Sequence, residues 1–298
     1  MQTNPFNSFD LKFKNNNMLF KLIYINAAVF VSIILLYLPF WLMSSELNPK
    51  SFVTSWFSVP SNLMDLFIKP WTIFSYMFLH VEFMHLLFNM ILLYFSGQLF
   101  VQFLGERRLL TVYIAGGIAG ALLYIIAFNI FPAFQGVSHI SKALGASASV
   151  MAILVALAAY MPDFIVRFMF IGNVKLKYIA AVLFIIDLAG ISNANSGGHI
   201  AHIGGALLGY FFAKELKKGK DITAWVGKSS DYVLAIFKPS TKSKMKVKYK
   251  KTRTDYEYKA KKKEEQEQID RILDKISKSG YDSLSRSEKE ILFKESNK

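Results

Sequence analysis

Six stretches of this 298-residue chain are apolar enough, and nearly long enough, to cross a bilayer, and no other feature limits the fold as tightly. A span needs about 20 mostly apolar residues to cover a hydrocarbon core about 30 Å thick. The stretches run approximately over 18–43, 82–104, 109–131, 145–161, 176–191 and 199–216. Backbone inside lipid must satisfy its own hydrogen bonds, so each stretch is expected to be a helix. The expected fold class is all-α: a polytopic membrane bundle of six helices followed by a basic cytoplasmic tail. The first stretch is too long for a signal-peptide core and has no convincing small-residue cleavage site, so it reads as a retained helix.

The charges are sorted accordingly. Residues 1–213 carry 18 charged side chains, and residues 214–298 carry 38. A soluble domain needs charge over its whole surface and does not segregate it this way. With the N-terminus cytoplasmic, the inner loops hold Lys12, Lys14, Lys21, Arg107, Arg108, Arg167, Lys175 and Lys177. The outer loops hold only Lys50, Lys69 and Lys142. That bias puts both termini in the cytoplasm and the protein in the cell membrane as a multi-pass chain. The net charge of +14 lies mostly beyond the last span, where anionic lipid is a better partner than nucleic acid. The absence of Cys excludes disulfides, a thiol nucleophile and Cys-ligated metals.

Four regions follow: a lead at 1–17, a membrane domain at 18–217, an amphipathic and Lys-rich linker at 218–263, and a small helical segment at 264–298. The connection 44–70 reads as a loop at the outer interface, with Trp56, Phe57, Phe67 and Trp71 suited to that depth. Ile222, Trp225, Val226, Val233, Ile236 and Phe237 have the spacing of an interfacial helix. The Lys-rich run from Lys238 to Lys263 shows no core-forming pattern. Beyond it, Ile269, Leu273 and Ile276 make a stripe, Gly280 ends it, and Ser285 with Glu288 forms a capping box opening a last helix.

Polar groups inside spans are costly, so each one calls for a reason. The second span carries His80, Glu82, His85 and Asn89. The fourth carries Ser147 and Ser149, the fifth Asp187, and the sixth His199 and His202. The second, fourth and sixth spans all run inward from the outer face, so a hydroxyl, an imidazole and an imidazole–amide pair share one leaflet. Ala148, Ala152 and Ala156 form a small-residue ridge on the fourth span, and Gly205, Gly209 and Ala213 form another on the sixth, which allows close backbone approach. A serine hydroxyl meeting an imidazole there is a nucleophile with its general base. His85 and Asn89, with a backbone N–H near Ser147, are placed to donate to an oxyanion. No third acid is evident beside His202, which points to a Ser–His dyad. Taken singly, each group has a bland reading: Ser147 bonding back to its own turn, Asn89 bridging helices, His199 and Glu82 lying at the interface.

Together these residues resemble the rhomboid family of intramembrane serine proteases, in the bacterial six-helix form. The family's GxSx nucleophile motif is similar to Gly145-Ala146-Ser147-Ala148. Its Ala-His motif, with Gly three and seven residues after the His, is similar to Ala201-His202, Gly205 and Gly209. Its two His followed by Asn resemble His80, His85 and Asn89, and its Glu–Arg pair resembles Glu106 with Arg107 or Arg108. The resemblance covers roughly 50–216 and implies Ser147 as nucleophile, His202 as base and His85 with Asn89 as oxyanion donors, with His80, Gly145, Gly205 and Gly209 supporting. Ala148 stands where Gly is common, Met151 where an aromatic often packs on the His, and Thr72 follows Trp71 where Arg is usual.

The implied activity is an endopeptidase cutting transmembrane segments of single-pass proteins near the outer leaflet, with no metal or cofactor. A substrate helix must unwind to expose its carbonyl, which favours helix-destabilising residues and a small residue at the cut. The fourth span is short, so its start is expected below the outer surface in a water-accessible hollow. Zinc chemistry of the HExxH type fails because His80 and His85 are five apart. An aspartyl enzyme fails because Asp187 is the only intramembrane Asp. A small transporter and a catalytically inactive client-binding relative remain as alternatives.

Overall fold

The structure, a computed structural model, describes residues 17–43, 48–168, 172–192, 195–227 and 255–296. The chain divides into two compact units, residues 1–238 and 239–298. All six expected spans are helical: α1 (Asn17–Leu42), α4 (Phe83–Leu104), α5 (Glu106–Ile130), α6 (Ser147–Tyr160), α7 (Leu176–Gly190) and α8 (Ser196–Leu216). Among the described residues three helices, Met18–Leu42, Phe83–Leu104 and Glu106–Ile130, are long and apolar enough to cross a membrane; Ser147–Tyr160 is apolar but shorter. The outer face of α1 leaves Leu35 and Trp41 about two-thirds exposed, as a lipid-facing surface does.

Residues 48–70 of the expected interfacial loop hold two short helices and a strand instead. Asn48 caps α2 (Pro49–Phe57), with Pro49 at its first position. The Asn62 side chain accepts from the Met64 and Asp65 amides to start α3 (Leu63–Ile68). Asn is a strong N-cap, and Pro at the first helical position loses no hydrogen bond. Between these helices, β1 (Val59–Pro60) pairs antiparallel with β2 (Lys142–Ala143), with Val59 opposite Ala143. Ser61 reinforces that pair by bonding the Ser138 and Ser141 carbonyls. Trp71 stacks on Trp56 at 6.1 Å and donates to the Trp56 carbonyl.

The core lies where α5, α6 and α8 meet. The small-residue ridges are in contact: a Cβ added to Gly205 would lie 2.0 Å from the Ala148 carbonyl oxygen, and one on Gly209 would lie 2.2 Å from that of Ala152. Buried tyrosines tie the loops to this core. Tyr113 donates to the Met77 carbonyl at 2.9 Å, and Tyr76 donates to the Gly117 carbonyl at 2.6 Å. Asn26 of α1 donates to the Tyr113 hydroxyl at 3.1 Å, fastening the first helix. A second hairpin, β3 (Ile165–Phe168) with β4 (Gly172–Lys175), joins α6 to α7.

After α8, Thr223 is buried against α5 and shares a hydrogen bond with Thr111 at 2.8 Å. Arg108 pairs with Asp221 at 3.1 Å. Residues 224–227 are helical, Ile222 lies in the turn before them, and the part of the expected interfacial helix beyond 227 lies outside the described residues. So does the Lys-rich run up to 254; its end, expected to lack structure, belongs instead to helix α9 (Asp255–Ser279). In the second unit α9 is followed by Gly280 at φ +75° and by α10 (Arg286–Ser296). The capping box forms as expected: Glu288 accepts from the Ser285 amide at 2.7 Å, and Ser285 Oγ accepts from the Glu288 amide at 3.4 Å. The apolar stripe differs by one position. Ile272 is 5% exposed and Leu273 50%, so the inward face runs through Ile269, Ile272 and Ile276.

Candidate active site

Ser147 is the first residue of α6, and the segment leading to it is held on both sides. Gly145 takes φ +117°, a conformation that disfavours any side chain, and turns the chain into the helix. Its amide donates to the Tyr76 carbonyl at 2.9 Å. The next amide, of Ala146, donates to His80 Nε2 at 3.3 Å. His80 is fully buried, so it braces the loop before Ser147 from behind. It also precedes α4, whereas the sequence grouped it with that span; Glu82 is the residue at the helix start. The Ser147, Ala148 and Ser149 amides precede the first bond of the helix, from the Val150 amide to the Ala146 carbonyl, and have no carbonyl within α6 to donate to.

His85 sits in the first turn of α4, with its ring over the Gly145 Cα. A Cβ at position 145 would lie 2.7 Å from His85 Cε1 and 2.9 Å from Nε2. Glycine is therefore needed there for space as well as for backbone. His85 is half-buried, its ring centroid 5.1 Å from that of His80, and it is within electrostatic reach of His202. Asn89, one turn further, is buried and donates through Nδ2 to the His85 carbonyl at 2.8 Å. One of its two amide protons is thus used inside the helix, leaving the other for an acceptor in the site.

His202 lies on α8, one turn before Gly205. The neighbours of the two expected reacting groups converge on one point of α5: a Cβ at Gly120 would lie 2.6 Å from Ala148 Cβ and 2.7 Å from the Ala201 carbonyl oxygen. Ser147 and His202 each stand one residue from that contact, and both are half-buried. Among the described residues no hydrogen bond joins them. Such bonds are commonly long in a free enzyme and tighten when substrate is bound.

The expected dyad is corrected at one point: an acid does stand beside His202. Asp187 Oδ1 accepts from His202 Nδ1 at 2.7 Å and from His199 Nδ1 at 2.9 Å. Asp187 is 5% exposed, near the end of α7. Sequence separation hid this pair, yet a signal existed: a short link between α7 and α8 must lay the end of one beside the start of the other. The three donor atoms lie within 4.8 Å of one another, a spacing that a metal ion can also bridge. The two separations to Oδ1 are those of hydrogen bonds.

Comparison with known proteins identifies the family of the region that carries these residues. A family model described as the rhomboid domain matches residues 68–218, and one for a family of unknown function, DUF6576, matches residues 252–298. The rhomboid protease GluP of Bacillus subtilis (strain 168) is 31% identical over 146 residues, covering 48% of this chain and 25% of that protein. The mitochondrial presenilin-associated rhomboid-like protein of Bos taurus is 29% identical over 142 residues, covering 45% and 35%. The mitochondrial RHOMBOID-like protein 12 of Arabidopsis thaliana is 28% identical over 158 residues, covering 50% and 47%. The match thus spans less than half the length of each of these relatives.

Proposed function

The chain belongs to the rhomboid family, and from that premise we propose that it is an intramembrane serine endopeptidase acting on single-pass membrane proteins. The observation that carries this reading is the meeting of α6 and α8 at Ala148 and Gly205, one residue from Ser147 and one turn from His202. His85 over Gly145 completes the set. In this reading all six helices span the membrane, both termini are cytoplasmic, and the cut is made in the outer leaflet. The basic tail meets anionic lipid.

The chemistry follows from those groups. Ser147 Oγ attacks the scissile carbonyl carbon as its proton passes to His202 Nε2. The carbonyl oxygen gains the negative charge, met by first-turn amides of α6 and by His85 and Asn89. His202 then gives the proton to the leaving amide nitrogen, the C–N bond breaks, and an ester on Ser147 remains. Water attacks that ester, His202 takes and returns a proton, and Ser147 is regenerated with a carboxylic acid as product. Removing the nucleophile should cost about 10³-fold or more in kcat.

The test is cleavage of a reporter transmembrane substrate by purified full-length protein, beside Ser147→Ala and His202→Ala. A serine-reactive fluorophosphonate is applied in parallel. Cleavage and labelling that both disappear with Ser147→Ala support the protease. Cleavage that survives both substitutions overturns the assignment. Folded wild type that neither cleaves nor labels favours the client-binding or transport alternative.

A further inference from the structure

Asp187 is a nearly buried carboxylate with an imidazole on either flank. An ionised carboxylate only accepts hydrogen bonds, so His199 and His202 both present Nδ1–H to it at 2.9 and 2.7 Å. That fixes the tautomer of each neutral ring and leaves Nε2 as the free lone pair. A base for Ser147 needs that lone pair, aimed away from the carboxylate.

His199 has no counterpart in a simple three-residue arrangement. Its ring rests on the last residue of α7: a Cβ at Gly190 would lie 2.5 Å from both His199 Cε1 and Nε2. Only glycine leaves the ring that place. The ring centroids of His199 and His202 are 6.0 Å apart at an interplanar angle of 76°, so the two approach one oxygen from different directions. A carboxylate gripped at one point by a single partner can pivot; a second donor from a separate turn of α8 fixes where Oδ1 lies.

We propose that Asp187 is a positioning residue for His202, and that His199 is the second anchor that fixes Asp187. This rests on the reading of Ser147 and His202 as the reacting groups. When His202 takes the Ser147 proton on Nε2, the imidazolium keeps its Nδ1–H directed at Asp187 Oδ1, and no proton moves to the carboxylate. Gly190 is the fourth part of the device, since its missing side chain admits His199.

The experiment compares full-length wild type with Asp187→Asn, His199→Phe and His199→Asn, using a reporter transmembrane substrate over a range of pH. The charged and titratable groups near His202 are Asp187, His199 and His85. Asp187→Asn is expected to lower kcat by about 10²-fold or more with KM little changed. It should also move the acid limb of the rate profile to lower pH, because the imidazolium loses its counter-charge. His199→Phe should lose about tenfold in kcat, and His199→Asn, whose side-chain N–H can replace Nδ1–H, should restore it. A purely structural role would move stability and leave the acid limb where it is. In parallel, ¹⁵N-histidine spectra should show His202 protonated at Nδ1 in wild type and in Ser147→Ala. An active wild type with an unshifted acid limb in Asp187→Asn, or with His202 protonated at Nε2, overturns the proposal. A wild type that neither cleaves nor labels at Ser147 overturns the protease reading itself, a different result.

Discussion

Where α6 meets α8 the interface is alanine and glycine, so close that a methyl on Gly205 has no room beside the Ala148 carbonyl. In the C-terminal hairpin the helices are built from Lys and Glu, and only Ile272 and Leu284 among the described residues there are buried. The hairpin marks its boundaries instead with polar groups: Gly280 at positive φ, the Ser285–Glu288 box, and Lys275 at 3.0 Å from Glu288. The first region excludes water and gains from backbone proximity. The second stands in water, where caps and exposed ion pairs add modest increments. Position is therefore held tightly in one region and only element ends in the other, which is what the proposed reacting site and a polar appendage respectively require.

Three sets of substitutions can break that comparison. The largest effect is expected from Gly205→Val. Its side chain would meet the Ala148 backbone, forcing α8 away from the turn that carries Ser147. Overpacking of this kind costs about 1–3 kcal/mol, and a misplacement of about 1 Å at reacting groups can cost about 10²-fold in rate. Cleavage should fall by at least that much, with a lower thermal midpoint in detergent; full activity with an unchanged midpoint would refute the contact.

The second set tests the stripe in α9. Ile272→Ala should destabilise the hairpin by about 2 kcal/mol, and Leu273→Ala by no more than about 0.5 kcal/mol. Local amide exchange in the full chain reads the difference, and the reverse order would restore the register inferred from sequence.

The smallest effect is a pH dependence. The Ser285 amide, the Lys275 ammonium and the Ser285 hydroxyl hold the Glu288 carboxyl at about 2, below its ordinary 4.5. Its pKa is lowered on folding, so the carboxylate stabilises the start of α10 above pH 4.5, and that support fades as pH falls toward 2. Backbone chemical shifts of residues 286–290 should show fraying over that window, and Glu288→Gln should remove the dependence.

Much of this was readable in the sequence because it rests on local rules. The length of each apolar run gave a helix, with ends off by a few residues at most. The Ser285–Glu288 spacing gave a cap, since its two hydrogen bonds need only four consecutive residues. The small-residue ridges gave the α6–α8 contact. Asn48-Pro49 and Asn62 are equally local start signals, but the aromatic composition of 44–70 masked them. What escaped depended on which faces meet. Spacing along α9 does not say whether Ile272 or Leu273 turns inward. Asp187 and His202 stand 15 positions apart on different helices, and no period within one helix can report a contact between two.

The length of α6 has a consequence for the lipid. Fourteen residues make a helix about 21 Å long, against a hydrocarbon core of about 30 Å. In the proposed six-span reading, with Tyr160 placed at one boundary, the depth of Ser147 would be set by the helix and not by the bilayer. A thicker membrane must then thin around the protein or bury the serine further from water, at a fraction of a kcal/mol per Å of mismatch. On the proposed function, a substrate span shifts with the surrounding lipid while Ser147 keeps its own ruler, so the bond presented to it would be selected jointly by sequence and by membrane thickness.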